Sequence, residues 1–175
     1  MNAISLNYGS VMVECRLQHA RVIEPEHLPE PPAAEELILK ALDQPVGTPP
    51  LSKIIKPGEK IVIVTSDITR YSGSEIYLPI LVDQLNQLGI PDQDIEVIIA
   101  LGIHRKQTES EHKKILGSVY GRIQVYDHEC DEPDELVDLG TTDSGIPVQI
   151  NRRVVDAERV IVTGTAGFHY FAGFG

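Results

Sequence analysis

The rhythm of apolar and polar positions changes near residue 60, and the two halves of that pattern predict different structures. Residues 4–18 (ISLNYGSVMVECRLQ) alternate apolar and polar positions around Tyr8-Gly9-Ser10. A period of two broken by a glycine predicts a β-hairpin, because successive strand side chains point to opposite faces. Residues 21–32 are rich in proline and predict an irregular surface segment. Over 33–42, Leu37, Ile38, Ala41 and Leu42 fall at helical spacing behind the acidic first turn Glu35-Glu36, which complements the positive end of a helix. The stretch Pro45-Val46-Gly47-Thr48-Pro49-Pro50 ends that helix.

Beyond residue 60 the apolar runs become continuous. Lys60-Ile61-Val62-Ile63-Val64-Thr65 and Glu96-Val97-Ile98-Ile99-Ala100-Leu101 are short and β-branched, the pattern of strands buried on both faces. Two further strands are predicted over 122–126 and 159–163. Between them, 75–88 reads as a helix closing at Gly89, and 108–116 as another, stopped by Gly117. Thr108 and Glu111 stand three apart, the spacing of a capping box. Residues 138–149 predict a hairpin about Asp143-Ser144-Gly145. Alternating strands and helices indicate an α/β fold with a mostly parallel, Rossmann-like sheet, helices on both faces and the N-terminal β-hairpin attached. Residues 1–175 are expected to form one domain.

In open α/β sheets ligands bind beyond the carboxyl ends of the strands. That rule selects three loops, 66–70, 102–106 and 164–175, and puts Asp67, Arg70, His104 and His169 on one rim. Each residue also has a plainer reading. Asp67 suits the cap of a turn, Arg70 an exposed charge, and a single histidine after a strand a structural role. Two histidines on one rim point further, since imidazole exchanges protons near neutral pH. Arginine in turn suits a bidentate grip on carboxylate or phosphate.

Composition narrows the field. The formal net charge of −11 argues against nucleic-acid binding, which needs clustered Lys and Arg on phosphates. The basic groups His104-Arg105-Lys106, His112-Lys113-Lys114 and Arg152-Arg153 read as solvated faces. No run approaches the roughly 18 apolar residues of a membrane span, and Met1 opens into a polar, alternating segment unlike a secretion signal. Two cysteines, Cys15 and Cys130, form no CxxC, so reduced thiols in a cytoplasmic protein are expected. His112, His128 and Cys130 match no compact zinc spacing, and no metal ligand is assigned. GTAG at 164–167 is a poor relative of GxGxxG, which weakens a conventional NAD-linked dehydrogenase.

At these residues the sequence resembles the N-terminal domain of the nickel-pincer lactate racemase family of 2-hydroxyacid racemases and epimerases. The likeness rests on SDITR, ALGIHRKQT and INRRVVDAERVIVTGTAGFHYFAGFG, with LNYG and VGTPPL before them, all in order. GxHR and FHxFAGFG are specific as a pair. The resemblance implies a nickel-pincer mononucleotide cofactor and a small-molecule 2-hydroxy acid substrate. It implies that His104 and His169 are the catalytic acid/base pair, one on each side of the substrate carbon, with a 2-oxo acid between the two enantiomers. Asp67, Ile68, Thr69 and Arg70 match the segment that contacts the cofactor, and Arg70 the substrate as well.

Two departures qualify it. The family carries proline after its SDxTR-like stretch, whereas Tyr71-Ser72-Gly73 follows here. The cofactor-attaching lysine, the nickel-ligating histidine and a C-terminal domain belong beyond Gly175. The chain is therefore expected to be inactive as a racemase by itself. A non-catalytic nucleotide or small-molecule binding module is the alternative reading.

Overall fold

The structure, a computed structural model, describes residues 2–19, 21, 23, 29–171 and 173–174. Part of the irregular segment expected over 21–32 lies outside them. Residues Met1–Pro31 and Pro32–Gly175 are two compact units. In the first, β1 (Asn2–Tyr8) and β2 (Val11–Leu17) form the expected antiparallel hairpin. Its register pairs Ile4 with Cys15, Leu6 with Val13 and Tyr8 with Val11, so these six line one face.

The second unit is built on four parallel strands: β3 (Ile61–Ser66), β4 (Ile95–Ala100), β5 (Gln124–Asp127) and β8 (Arg159–Val162). Their order is β5-β4-β3-β8. From β3 the chain moves outward to β4 and β5, then returns to the other side of β3 as β8. The crevice at the carboxyl ends of β3 and β8 is thus the point where strand order reverses, the usual ligand site of such sheets.

Side chains alternate across the sheet. Ile61 and Ile63 of β3 and Ile95, Val97 and Ile99 of β4 face one core, each at most 1% exposed. They pack with Leu78, Val82 and Leu85 of α3 (Ser74–Gln87) and with Ile115 and Leu116 of α4 (Glu109–Leu116). Full burial of such side chains is worth about 1.5–3 kcal/mol each. α1 (Ala34–Asp43) and the short α2 (Leu51–Ile54) precede this layer. The opposite face carries a ribbon of β6 (Leu136–Thr141) and β7 (Pro147–Asn151) running into α5 (Arg152–Asp156). Arg153 of α5 fixes it there, with Nη1 3.5 Å from Glu96 and the guanidinium 3.5 Å over the Tyr126 ring.

The predicted punctuation is present. Thr108 and Glu111 form a complete capping box. α3 ends in a Schellman arrangement: Ile90 N–H reaches Leu85 O, Gly89 N–H reaches Asn86 O, and Gly89 has φ +90°. One boundary moves. The third parallel strand begins at Gln124, not Arg122, because Arg122 and Ile123 donate back to Val119 O in a turn. No helix of the described residues is long and apolar enough to cross a membrane.

Candidate active site

Asp67 follows β3 and is buried, its side chain 1% exposed. Its two oxygens do different work. Oδ1 caps the single 3₁₀ turn Ile68–Arg70, accepting from Thr69 N (3.0 Å), Thr69 Oγ1 (2.7 Å) and Arg70 N (3.2 Å). Oδ2 faces His104 Nδ1 at 2.5 Å. Asp67 thus caps its turn, as the plainer reading has it, and also contacts His104. Burial by itself would raise the Asp67 carboxyl. Hydrogen bonds from Thr69 and His104, with the His104 charge and the Arg70 amide, outweigh it and hold the group below the usual aspartate range.

His104 sits in the loop after β4, with N–H bonded to Leu101 O and the side chain 46% exposed. Because ionised Asp67 only accepts, Nδ1 of His104 is the donor, and Nε2 carries the lone pair in the neutral ring. No described residue donates to Nε2. Its neighbour Arg105 is committed elsewhere: both terminal nitrogens reach Glu111, each at 2.8 Å. The Arg105 guanidinium and then the Thr108 amide lower Glu111 to about 2. Lys106, Lys113 and Lys114 pair with Glu129, Glu109 and Glu75, so these basic groups are balanced surface charges, as expected.

Three residues that sequence reasoning did not select complete this edge. Gln107 Oε1 accepts from Ile68 N at 3.1 Å, and Gln107 N donates to Asp127 Oδ2 at 2.8 Å. The other Asp127 oxygen meets His112 Nε2 at 2.9 Å. Tyr77 lies beneath the switch point, its hydroxyl within 2.8 Å of Thr65 and Ser72 and 3.1 Å of Thr163. Since Thr163 donates to Val64 O, Tyr77 donates to Thr163 and accepts from the other two. Asp127 ends a parallel strand, so the rule that selected Asp67 would have reached it. Gln107 and Tyr77 carry no such signal.

The turn amides are engaged within the protein: Ile68 with Gln107, Thr69 and Arg70 with Asp67. The Arg70 side chain is exposed and pairs with no carboxylate among the described residues. Where the family has proline, Tyr71-Ser72-Gly73 places Ser72 on Tyr77 and lets Gly73 start α3 at φ +75°. The Tyr71 ring lies under Lys114 Nζ at 4.8 Å.

His169 lies on β9 (Phe168–His169), paired with β10 (Gly173–Phe174) in the segment that leaves β8. Its Nδ1 accepts from Phe171 N at 3.2 Å, and its ring stacks on Tyr170 with centroids 5.0 Å apart. Among the described residues, no hydrogen bond or ring contact joins His169 to His104. The rim therefore brings Asp67, Thr69 and His104 together, with Arg70 beside them and His169 on a separate segment.

Two cavities of similar size open at opposite ends of the sheet. One of about 250 Å³ lies at the amino ends, between Lys60, Asp94, Glu96 and Arg153. The other, about 240 Å³, lies at the carboxyl ends beside His104, Lys106 and His128. Volume does not separate them; the second lies at the carboxyl ends and includes His104, but its lining follows β4 and β5 and not the β3–β8 switch point. Among the described residues, no three His, Cys, Asp or Glu side chains are grouped to hold a metal.

Residues 8–175 match the family described as lactate racemase N-terminal domain. Two curated proteins named lactate racemase, from Thermoanaerobacterium thermosaccharolyticum and Lactiplantibacillus plantarum, are 33% and 32% identical to this chain over 141 residues. That stretch is 80% of this chain and 33% of each relative, so the chain spans about a third of their length. The lactate racemase apoprotein structure from T. thermosaccharolyticum matches with a TM-score of 0.78 at 31% identity, over 99% of this chain and 41% of that one. A Thermotoga maritima protein shares the fold, with a TM-score of 0.65 at 24% identity over 85% of this chain and 37% of its own.

Proposed function

As this chain belongs to the lactate racemase N-terminal domain family, we propose that it is the N-terminal catalytic domain, residues 1–175, of a 2-hydroxyacid racemase or epimerase. Lactate is the first substrate to test. The observation that carries the reading is the Asp67–His104 pair at the carboxyl edge of the sheet. With Nδ1–H held by Asp67, Nε2 of His104 takes the substrate hydroxyl proton, and the carboxylate stabilises the resulting imidazolium. His169 is the second acid/base group, on the opposite face of the substrate carbon. Interconversion of mirror images needs a proton acceptor and donor on each side, which two histidines supply. Arg70 grips the substrate carboxylate or a cofactor phosphate, and the Asp67–Ile68–Thr69 backbone lines the cofactor's edge.

The family resemblance brings with it a nickel-pincer mononucleotide, which when bound supplies the hydride chemistry at the substrate carbon. For its anionic end this chain offers the exposed Arg70 side chain after β3, since the turn amides are engaged within the protein. After β8, an added Cβ at Gly164 would meet, among the described residues, Ser66 Oγ at 3.7 Å. The described residues supply no metal ligand set. We assign the attaching lysine and nickel-ligating histidine to a C-terminal portion, in keeping with relatives more than twice this length.

The test is chiral analysis of L-lactate and other single-enantiomer 2-hydroxy acids incubated with the cofactor-loaded full-length gene product. Appearance of the opposite configuration for at least one acid is expected. Ligand binding without inversion of any of them would replace this reading with that of a binding module.

A further inference from the structure

The 3₁₀ turn Ile68–Arg70 closes on Arg70 N–H to Asp67 O at 3.0 Å, which leaves the N–H groups of Ile68 and Thr69 to find an acceptor outside the turn's own backbone. Asp67 Oδ1 serves Thr69, as an N-cap can, and also lies 3.2 Å from Arg70 N. Ile68 N–H, the first of the two, is outside the N-cap's reach. It is taken instead by Gln107 Oε1 at 3.1 Å, from a loop 39 residues away. Gln107 is itself 9% exposed and cannot drift. Its N–H is anchored on Asp127 Oδ2 at the end of β5, and its Nε2 lies 3.4 Å from Arg105 O. The turn bearing Asp67 and the loop bearing His104 are thus joined at His104, by Asp67 Oδ2 and, at 3.3 Å, Thr69 Oγ1, and separately by Ile68–Gln107.

We propose that Gln107 is a positioning residue for the acid/base pair: by clipping Ile68 to the His104 loop, with Asp127 as anchor, it sets the geometry in which Asp67 meets His104. This rests on the reading of His104 as an acid/base group. Gln107 touches no reacting atom in this account and acts only through the pair.

Gln107→Met keeps size and removes the acceptor; Gln107→Glu keeps an oxygen for Ile68 N–H. In Gln107→Met, amide exchange at Ile68 is expected to quicken about tenfold, the loss of one hydrogen bond, while Val97 in the core is unchanged. Imidazole ¹⁵N shifts should show His104 held as the Nδ1–H tautomer in wild type and Gln107→Glu, and mixed in Gln107→Met. In the full-length enzyme, kcat should fall about tenfold or more with KM little changed, and Gln107→Glu should restore most of it. Unaltered Ile68 exchange and His104 shifts in Gln107→Met would overturn the clip. Altered shifts with unaltered kcat would overturn the positioning role. If the wild-type enzyme inverts no 2-hydroxy acid, the functional reading fails, and the exchange and ¹⁵N measurements still decide the clip.

Discussion

Asp67 and His104 lie 37 residues apart in sequence, on loops after neighbouring parallel strands, and meet through Oδ2 and Nδ1. One oxygen of a buried carboxylate holds its own turn while the other orients an imidazole. Asp67→Asn keeps the size but no longer forces Nδ1 to carry the proton. On the proposed reading, inversion by the cofactor-loaded full-length gene product is expected to fall about 10²- to 10⁴-fold with an unchanged circular dichroism spectrum. Wild-type turnover in Asp67→Asn would remove Asp67 from the chemistry.

The same carboxylate has a pH signature. Its folded value lies below its unfolded one, so its contribution to stability is complete above the unfolded value of about 3.9. That contribution is lost as pH falls through the folded value. Glu111, lowered to about 2 by Arg105 and Thr108, behaves alike. Urea unfolding from pH 6 down to about pH 2.5 should show a shallower acid decline in Glu111→Gln than in wild type. Parallel declines would contradict the Arg105–Glu111 assignment.

How far these features were legible depended on distance along the chain. The strands announced themselves because β-branched runs such as 61–64 need no partner to be recognised. The Thr108–Glu111 capping box lies within one helical turn. Strand order was less accessible: nothing near Arg159 says that β8 lies beside β3, so the switch point emerged only from the sheet. Asp67 was read as either a cap or a functional carboxylate, and its two oxygens allow both. Gln107 follows His104, Arg105 and Lys106 and looks like surface; its role depends on an amide 39 residues earlier. Tyr77 reads as a helix residue, although its hydroxyl joins β3 to the segment after β8.

Gly117 has φ +57° and ψ −132°, and an added Cβ would lie 2.6 Å from Glu75 O. Pro79, with no N–H, leaves that carbonyl without its i+4 donor inside α3, and Gly117 packs against it. Gly117→Ala should cost about 2–4 kcal/mol, combining backbone strain with the clash. Denaturant unfolding measures it; a cost below about 0.5 kcal/mol would show that the approach is not tight.

Tyr77→Phe leaves the buried Thr65 hydroxyl, on a residue 1% exposed, without its partner. A loss of about 1–3 kcal/mol is expected. Faster amide exchange at Thr163, next to β8, should accompany it, since Thr163 N–H bonds Val64 O at that seam. Unchanged exchange there would mean the hydroxyl cluster does not hold the seam.

The central claim is that His104 and His169 act as opposed acid/base groups in the inversion of a 2-hydroxy acid. The most direct measurement is the rate of enantiomer interconversion by the cofactor-loaded full-length gene product, compared with His104→Ala and His169→Ala. Each substitution is predicted to lower that rate about 10²- to 10⁴-fold while the protein stays folded. A folded variant of either kind that inverts the substrate at the wild-type rate would contradict the claim.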